Sequence, residues 1–344
     1  MDKKKLIENI INTSKVLAPA IIAEKIYEKM FNHHIYTFTP LYFSNEDFPN
    51  LVNHRHEFRS ENKNLLVGYI YKSINNKDIK GLFIFCHGYG GGGHHCYLDL
   101  INAICELGYL VFAYDMTAND ESEGHNMKGF SQGMLDLNSA IKYVESLPEY
   151  QNMPLYLCGH SLGAYSVTTN LGWHPSVKGA IAFSGFNTST SPFKYNGELY
   201  AGDKSQEFLQ YVDTLEHLIF GDICKRDSLT SLKESKAKVV IVHSEDDNII
   251  PISAGYDIYY KEFKNDKRFK FVKLLTHGHG TVYYTLQGKH YYDKIGRNFH
   301  VFCKRMERSI EDKKAYLDSQ IDRNIYNHLV DIKALKSYID FITK

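Results

Sequence analysis

The sequence lacks a long uninterrupted apolar run, an excess of one charge, and any paired-cysteine motif. The longest uncharged apolar run near its beginning, residues 16–23, is far shorter than the roughly 20 apolar residues that a membrane-spanning helix needs. Lys and Arg together number 40, as do Asp and Glu, so no net field favours nucleic acid or an anionic surface. We therefore expect neither a nucleic-acid partner nor a membrane contact, and the oligomeric state stays open.

Cofactor and metal motifs are also missing. The sequence contains no HExxH pattern, no GxxxxGK[ST] loop, and no GxGxxG followed by a suitable acid. We expect no metal and no cofactor, and we interpret most histidines of the histidine-rich spots as solvated or turn residues. The role of the run Gly90 to Gly93 stays open. The six cysteines form no CxxC pair, which is typical of reduced thiols and predicts a cytoplasmic protein.

Residues 1–32 predict an amphipathic helix. Its apolar residues recur at helical spacing: Leu6, Ile10, Val16, Ile21, Ile22 and Ile26. The basic start resembles a signal peptide, but Glu8 and Lys15 interrupt the apolar region, so we expect a soluble, unprocessed chain. We favour packing of this helix on the body of the protein over binding to a membrane surface.

From Gly81 onward, apolar strand-like runs alternate with helical stretches. These runs are GLFIF, YLVFAY, LYLC, GAIAFSG, KVVIVHS and FKFVKLL. Such alternation is typical of βαβ units around a parallel sheet. Before this region, the runs IYTFT, HRHEFRS and LVGYIYKS are predicted as successive strands. The predicted fold class is therefore α/β, with a mostly parallel central sheet flanked by helices.

Two segments interrupt or follow this alternation. Between about residues 186 and 236 the strand rhythm stops, and the stretch EFLQYVDTLEHLIF is helical and amphipathic. We interpret this segment as a small helical cap inserted over the carboxyl ends of the strands. From about residue 290 to 344 the chain is charged and helical, and we predict that it packs on the sheet. Without repeats or a Pro-rich linker, residues 33–344 are expected to form one domain.

The pattern GxSxG occurs twice, around Ser131 and around Ser161. Ser161 follows a buried strand-like run and precedes a stretch that continues as a helix. A strand, a sharp turn and a helix form the elbow that exposes a nucleophilic serine. Ser131 follows a polar loop instead, which is typical of a residue at a helix N-terminus. Ser161 is therefore the predicted nucleophile.

A nucleophilic serine needs a base, an acid that orients the base, and donors for an oxyanion. A strand-like run ends at His87-Gly88, directly before Tyr89. At this position the backbone N–H of Tyr89 can form an oxyanion hole together with the backbone N–H of Leu162. Farther along, acids follow the strand of VVIVHSEDDNIIP, and histidines follow the strand of FVKLLTHGHG. Serine, acid and histidine then occur in the order known from α/β hydrolases.

From about residue 66 to 302 the chain resembles the α/β hydrolases, and among them the branch of monoacylglycerol-lipase-like and serine-aminopeptidase-like proteins. The resemblance is carried by the turn at His87, the loop from Asp115 to Ser122, the elbow at Ser161, and the acid and histidine blocks. The loop AYDMTANDESEG matches the commoner DxRGxGxS only at Asp115 and Ser122. We expect this departure from the family sequence to affect which substrate is bound and not which type of reaction is catalysed.

The resemblance selects among the acids and the histidines. The family acid lies four residues before a proline. Asp247 lies four residues before Pro251 and is therefore the implied acid, whereas Asp246 does not have this spacing. The family histidine follows a glycine and precedes a small residue, which implies His279, with His277 as the alternative.

The resemblance implies a serine hydrolase that cleaves a small acyl ester through an acyl-enzyme, with monoacylglycerols or lysophospholipids among the candidate substrates. His87, His160 and Asp115 are candidate substrate-binding residues, but for Asp115 we favour a structural role that holds its loop. One rival is an aminopeptidase-like enzyme, which needs an acid in the cap; the candidates are Glu198, Asp203, Asp213 and Glu216. The other rival is a hydrolase fold that has lost activity and acts as a binding module.

Overall fold

A computed structural model describes residues 18–38, 40, 42–304 and 306–344, without the side chains of residues 198–200. Within the predicted N-terminal helix, residues 18–31 are helical and form α1. The predicted helical positions before residue 18 lie outside the described residues.

One sheet contains the eight strands named in the described residues. They are β1 (Leu51–Arg59), β2 (Leu65–Ser73), β3 (Leu82–Cys86), β4 (Leu110–Tyr114), β5 (Leu155–His160), β6 (Val177–Phe183), β7 (Lys238–Ser244) and β8 (Phe269–Leu274). Their order in the sheet is β1-β2-β4-β3-β5-β6-β7-β8. β2 pairs antiparallel with β1 and β4, and all other pairs are parallel. The prediction of a mostly parallel α/β sheet is confirmed.

Helices cover both faces of this sheet. After α1 they are α2 (Leu98–Glu106), α3 (Ser131–Ser146), α4 (Leu162–Asn170), α5 (Ser191–Ala201), α6 (Ser205–Phe220), α7 (Ser228–Glu234), α8 (Tyr256–Phe263), α9 (Leu286–Lys304), α10 (Ile310–Gln320), α11 (Arg323–Tyr326) and α12 (Ile332–Thr343). α5, α6 and α7 lie between β6 and β7, in the segment interpreted as a cap. No helix within the described ranges has both the length and the apolar character needed to cross a membrane.

The central strands are apolar on both faces because both faces are covered. All five residues of β3 and of β4 are buried, as expected for strands enclosed by helices. Successive side chains point to opposite faces, so Leu157 joins the cluster with α1, α3 and α4, whereas Cys158 joins the cluster with α2 and α12. The sheet thus separates two apolar cores and fixes the carboxyl ends of its parallel strands at one edge.

The strand predicted for IYTFT is wrong. Of this run, Ile35 forms only an isolated bridge with Asn119. The neighbouring polar groups bind a loop instead: the Thr37 N–H donates to the Asp120 carboxylate at 2.6 Å, and the His34 ring bonds to the main-chain oxygen of Gly124 at 2.9 Å. These contacts fasten the segment after α1 to the loop that follows β4.

Candidate active site

Ser161 lies in a sharp turn between β5 and α4. Its backbone has φ 55° and ψ −116°, a conformation that residues other than glycine rarely adopt. The turn also depends on two small neighbours. A Cβ atom at Gly163 would overlap the main-chain oxygen of Cys86, and one at Gly159 would overlap the backbone of Gly163. Close packing of the turn against β3 therefore requires glycine at both positions.

A chain of hydrogen bonds runs from Ser161 to an acid. The His279 Nε2 atom lies 2.9 Å from the Ser161 Oγ atom, and the His279 Nδ1 atom lies 2.7 Å from the Asp247 Oδ2 atom. His279 follows β8 and Asp247 follows β7, so the carboxyl ends of three parallel strands bring the side chains together. In this arrangement the Nδ1–H donates to the carboxylate, which leaves Nε2 free to accept the serine proton.

Asp247 is held as a carboxylate. Its Oδ1 atom accepts hydrogen bonds from the backbone N–H groups of Ile249 at 3.0 Å and Ile250 at 2.9 Å. Burial acts to raise the pKa of Asp247, but hydrogen bonds from His243 and His279 outweigh it and lower the pKa below its ordinary value. The group is therefore ionised at neutral pH and can stabilise positive charge that develops on the imidazole ring beside it.

His243 is a site residue that the sequence reasoning missed. It lies at the end of β7 with its Nε2 atom 3.2 Å from the Asp247 Oδ2 atom and 2.8 Å from the Ile250 main-chain oxygen. The only signal was its place four residues before Asp247, inside a run that reads as plain strand. His243 holds the loop that carries the acid.

The neighbouring acid and histidine bind elsewhere. The Asp246 Oδ1 atom accepts hydrogen bonds from the Ser244 hydroxyl at 2.6 Å and the Gly278 N–H at 2.7 Å. The His277 N–H donates to the Ser244 oxygen at 2.8 Å. Of the two acids and two histidines, the structure thus brings Asp247 and His279 to Ser161, and the other two brace the loops that carry them.

A cavity of about 280 Å³ opens beside Ser161 and His279. Most of its wall is apolar: Met30, Tyr89, Phe130, Leu162, Phe186, Pro192, Phe193, Ile249 and Ile250. Among the described side chains, Asn196 and Asn248 add amide groups to this wall, and none of those that line it is a carboxylate. Such a cavity suits an apolar group attached to the atom that Ser161 would attack.

Sequence comparison finds related hydrolases over part of the chain. The sequence model of the family described as "Serine aminopeptidase, S33" matches residues 77–200. Monoglyceride lipase of Mus musculus is 30% identical over 128 residues, which cover 36% of this chain and 38% of that protein. Lysophosphatidylserine lipase ABHD12 of Danio rerio is 27% identical over 185 residues, which cover 52% of this chain and 46% of that protein. The match thus spans less than half the length of either relative.

Solved structures extend the likeness of fold to about three quarters of the chain. The Pyrococcus furiosus esterase Pf2001 is 16% identical with a TM-score of 0.56, over 77% of this chain and 95% of that one. Est1E from Butyrivibrio proteoclasticus is 16% identical with a TM-score of 0.51, over 77% of this chain and 98% of that one. This chain has the α/β-hydrolase fold. The family resemblance seen in the sequence is confirmed.

Tyr89 and Leu162 are the residues predicted from the sequence to supply the oxyanion donors. Both residues line the cavity beside Ser161, and Leu162 is the first residue of α4. Among the hydrogen bonds of the described residues, neither backbone N–H has a protein acceptor. The Tyr89 hydroxyl donates to the main-chain oxygen of Met30 in α1, so this residue also joins the His-Gly turn to the first helix.

His160 lies beneath the cavity rather than in its wall. Its Nε2 atom is 2.9 Å from the main-chain oxygen of His279, and its Nδ1 atom is 2.9 Å from the Tyr97 hydroxyl. Burial, with the nearby charge of His279, lowers the pKa of His160 to about 3. The ring is therefore neutral at physiological pH. The contacts differ from the substrate binding considered from the sequence, because both ring nitrogens bond inside the protein.

His87 and Asp115 are also interior residues rather than parts of the cavity wall. The His87 Nε2 atom accepts from the Met116 N–H at 2.9 Å, and its Nδ1–H donates to the Gly88 oxygen at 2.7 Å. The Asp115 Oδ1 atom lies 2.7 Å from the Nδ1 atom of the fully buried His94. Both candidate substrate-binding residues thus have their polar atoms engaged within the fold, and their contacts hold the loop after β4.

The glycine run near His94 allows two loops to approach closely. A Cβ atom at Gly92 would overlap Thr37, and one at Gly93 would overlap the Asp115 carboxylate. The Gly93 N–H donates to the Asp120 carboxylate at 2.9 Å. The run thus lets the backbone pass between the segment after α1 and the loop after β4. Within the described ranges, no three His, Cys, Asp or Glu side chains are grouped in a way that would hold a metal ion.

Ser131, the serine of the second GxSxG pattern, begins α3. It is fully buried, and its hydroxyl donates to the Glu216 Oε2 atom of α6 at 2.7 Å. Its place at a helix N-terminus agrees with the interpretation of the sequence. Glu216, considered as an exposed acid for a peptide amino group, is instead buried between helices.

Proposed function

We propose that this protein is a serine hydrolase that cleaves carboxylic esters through an acyl-enzyme. The proposal rests mainly on one observation, the unbroken Asp247–His279–Ser161 hydrogen-bond chain beside an apolar cavity. Relatives over part of the chain, a monoglyceride lipase and a lysophosphatidylserine lipase, are named for lipid esters. Both observations support a substrate with an apolar acyl chain, such as a monoacylglycerol or a lysophospholipid.

In the proposed mechanism, the Ser161 oxygen attacks the ester carbonyl while His279 Nε2 takes its proton. Asp247 keeps the imidazole oriented and stabilises its positive charge. The backbone N–H groups of Tyr89 and Leu162 bind the oxyanion that forms on the former carbonyl oxygen. His279 then returns the proton to the leaving alcohol, and the acyl group stays on Ser161.

The second half of the cycle uses the same groups. His279 takes a proton from water as the water oxygen attacks the acyl carbon. The tetrahedral intermediate collapses to a free carboxylic acid, and Ser161 recovers its proton from His279. Electrostatic stabilisation of the oxyanion contributes the largest share of the rate in mechanisms of this kind.

An aminopeptidase-like activity is the second candidate, favoured by the description of the matching family. It requires a negative charge near the cavity to bind a free amino group. None of the described side chains in the cavity wall is a carboxylate, and Glu216 is buried against Tyr27 and Ser131. Asp203 and Asp213 are exposed on the outside of the helical segment, and the side chain of Glu198 is not described. These observations favour an ester over an aminoacyl substrate.

The proposal includes the cell compartment in which the protein acts. We place the protein in the cytoplasm, and support comes from its six cysteines, each of which carries a free thiol. Oligomeric assembly does not enter the mechanism, because every proposed catalytic group comes from one chain.

The test of the proposed activity is labelling with a fluorophosphonate probe, followed by mass spectrometry to locate the adduct. We expect an adduct on Ser161 that is absent in Ser161→Ala, together with hydrolysis of p-nitrophenyl esters and little cleavage of aminoacyl p-nitroanilides. Ser131→Ala is the matched control and should still be labelled. A folded protein without an adduct would instead identify a hydrolase fold that acts as a binding module.

A further inference from the structure

Helix α1 forms part of the wall of the cavity beside Ser161. Met30 lines the cavity, and its main-chain oxygen accepts the hydrogen bond from the Tyr89 hydroxyl. The helix lies outside residues 77–200, which match the family. The contribution of α1 to the cavity is therefore a property of this chain that the family match does not describe.

The Phe31 ring stands directly behind the aromatic wall of this cavity. Its centroid lies 4.9 Å from that of Phe130, 5.6 Å from that of Tyr89 and 6.2 Å from that of Phe193. Those three residues line the cavity, whereas Phe31 does not. The Phe31 side chain is only 2% exposed, so the ring fills the space on the far side of the wall.

A second cavity, of about 320 Å³, lies on the other side of Phe31. Phe31 and Tyr27 line it from α1, and Leu215 and Ile219 line it from α6. Its other lining residues are polar and lie around its opening to solvent: Glu24, Glu28, Asn32, Asn126 and Lys128. Phe31 therefore contacts the wall of the first cavity and belongs to the wall of the second. The two spaces are similar in volume and are separated by this aromatic layer.

We propose that Phe31 is a partition that limits the length of the apolar chain accepted beside Ser161. The inference rests on the proposed ester hydrolase function. An apolar cavity of about 150 Å³ holds a benzene molecule, so the 280 Å³ beside Ser161 holds a short or medium chain. A longer chain must pass the aromatic layer, and removal of the Phe31 ring joins the first cavity to the second.

A buried carboxylate holds the partition in place. Glu216 of α6 is 1% exposed and accepts hydrogen bonds from the Tyr27 hydroxyl at 2.5 Å and the Ser131 hydroxyl at 2.7 Å. Tyr27 lies one helical turn before Phe31, and their ring centroids are 4.7 Å apart. The bond from Tyr27 to Glu216 therefore fixes the face of α1 on which Phe31 lies. A Cβ atom at Gly129 would overlap the Tyr27 hydroxyl, so this junction also requires glycine there.

The test measures how chain length affects the labelling rate of Ser161 by n-alkyl fluorophosphonates with butyl, octyl and hexadecyl chains. Mass spectrometry locates each adduct. In the unaltered protein we expect butyl and octyl probes to react faster than the hexadecyl probe. In Phe31→Ala we expect the ratio of the hexadecyl rate to the butyl rate to rise by about tenfold or more, because each newly buried methylene favours binding by about fourfold.

Phe58→Ala is the matched control. Phe58 is also a buried phenylalanine, but it packs against Phe112 and Tyr143 at the edge of the sheet. Its loss should lower the melting temperature and leave the rate ratio unchanged. Phe31→Leu is the second test variant, with a smaller shift expected, and it provides the measurement where Phe31→Ala does not fold.

The outcomes separate this inference from the function on which it rests. Labelling of Ser161 with the same chain-length ratio in both folded Phe31 variants would overturn the partition and leave the proposed hydrolase intact. The same tenfold shift in Phe58→Ala would also overturn it, since the effect would then follow general loosening. Failure of every probe to label Ser161 in the unaltered protein would overturn both proposals.

Discussion

The Nε2 atom of His160 lies 2.9 Å from the main-chain oxygen of His279. On the other side of the ring, Nδ1 accepts from the Tyr97 hydroxyl at 2.9 Å, and the Tyr97 oxygen accepts from the Gly88 N–H at 3.1 Å. A continuous hydrogen-bond chain thus joins the His-Gly turn after β3 to the loop after β8. Because the His160 ring is neutral, it fixes the position of His279 without adding charge.

This chain predicts a positioning effect for Tyr97. In Tyr97→Phe, His160 loses its donor and the Gly88 N–H loses its acceptor, so the loop that carries His279 is held less firmly. We expect kcat on a p-nitrophenyl ester to fall about tenfold with KM nearly unchanged, because small displacements of a general base reduce the chemical step. Tyr156→Phe, at another buried tyrosine, serves as the control. Equal kcat values for the two variants would show that Tyr97 does not position His279.

The acid is tested by Asp247→Asn. The amide retains an acceptor for the Ile249 and Ile250 N–H groups but no longer stabilises a protonated His279. We expect kcat to fall by about 10⁴, as in other serine triads, with little loss of thermal stability. Asp246→Asn is the matched control one residue away, and it should retain activity within about tenfold. Comparable losses in the two variants would contradict the assignment of Asp247.

The effect of Ser131→Ala on kcat tests which of the two GxSxG serines is the nucleophile. Glu216 loses one of its hydroxyl donors, so we expect the free energy of unfolding to fall by about 1 kcal/mol. The value of kcat should stay within a factor of about two, since Ser131 does not contact His279 or the cavity. Urea unfolding and ester kinetics on the same preparation measure both quantities. A loss of kcat as deep as that of Ser161→Ala would reverse the choice of nucleophile.

Asp99 predicts a pH dependence of stability. This residue of α2 is buried, its Oδ2 atom has no hydrogen-bond partner among the described residues, and burial raises its pKa to about 7. In the unfolded chain the pKa is about 3.9, so the folded state holds the proton more tightly. Its stabilising contribution is therefore full below about pH 4 and is lost as pH rises through about 7.

The corresponding variant is Asp99→Asn, which stays uncharged at every pH. We expect it to raise the free energy of unfolding at pH 8, by on the order of 1 to 3 kcal/mol, and to change it little at pH 4. Thermal melts across this range measure the difference. The exposed Asp78→Asn is the control. A stability gain that does not depend on pH would show that the ionisation of Asp99 is not its cause.

Local patterns were sufficient to predict the elbow, because its strand, its glycines and its helix occur within a short stretch around Ser161. The positions of Asp247 and His279 followed from a similar rule. Each comes directly after a strand-like run, and the carboxyl ends of parallel strands meet at one edge of a sheet. The family spacing then separated Asp247 from Asp246 and His279 from His277.

Contacts between residues that are far apart in the sequence could not be predicted from local sequence patterns. Tyr27 and Glu216 are 189 residues apart, and an acid on an amphipathic helix usually faces water, so its burial was not predicted. For the same reason His87, His160 and Asp115 were considered as substrate-binding residues. Their sequence neighbours show that they follow strands, but not that internal partners such as Tyr97 and His94 already occupy their polar atoms.

The hydrogen bond from the Tyr89 hydroxyl to Met30 also limits how far the chain can be shortened from its N-terminal side. Deletion of α1 would remove the acceptor for Tyr89, uncover the rings of Phe130 and Phe193, and take away one wall of the cavity. A shortened chain that kept the sheet, the elbow and the acid would therefore not be a smaller version of the same protein. The minimal working unit includes the first helix, and fusion or trimming should leave residues 18–31 in place.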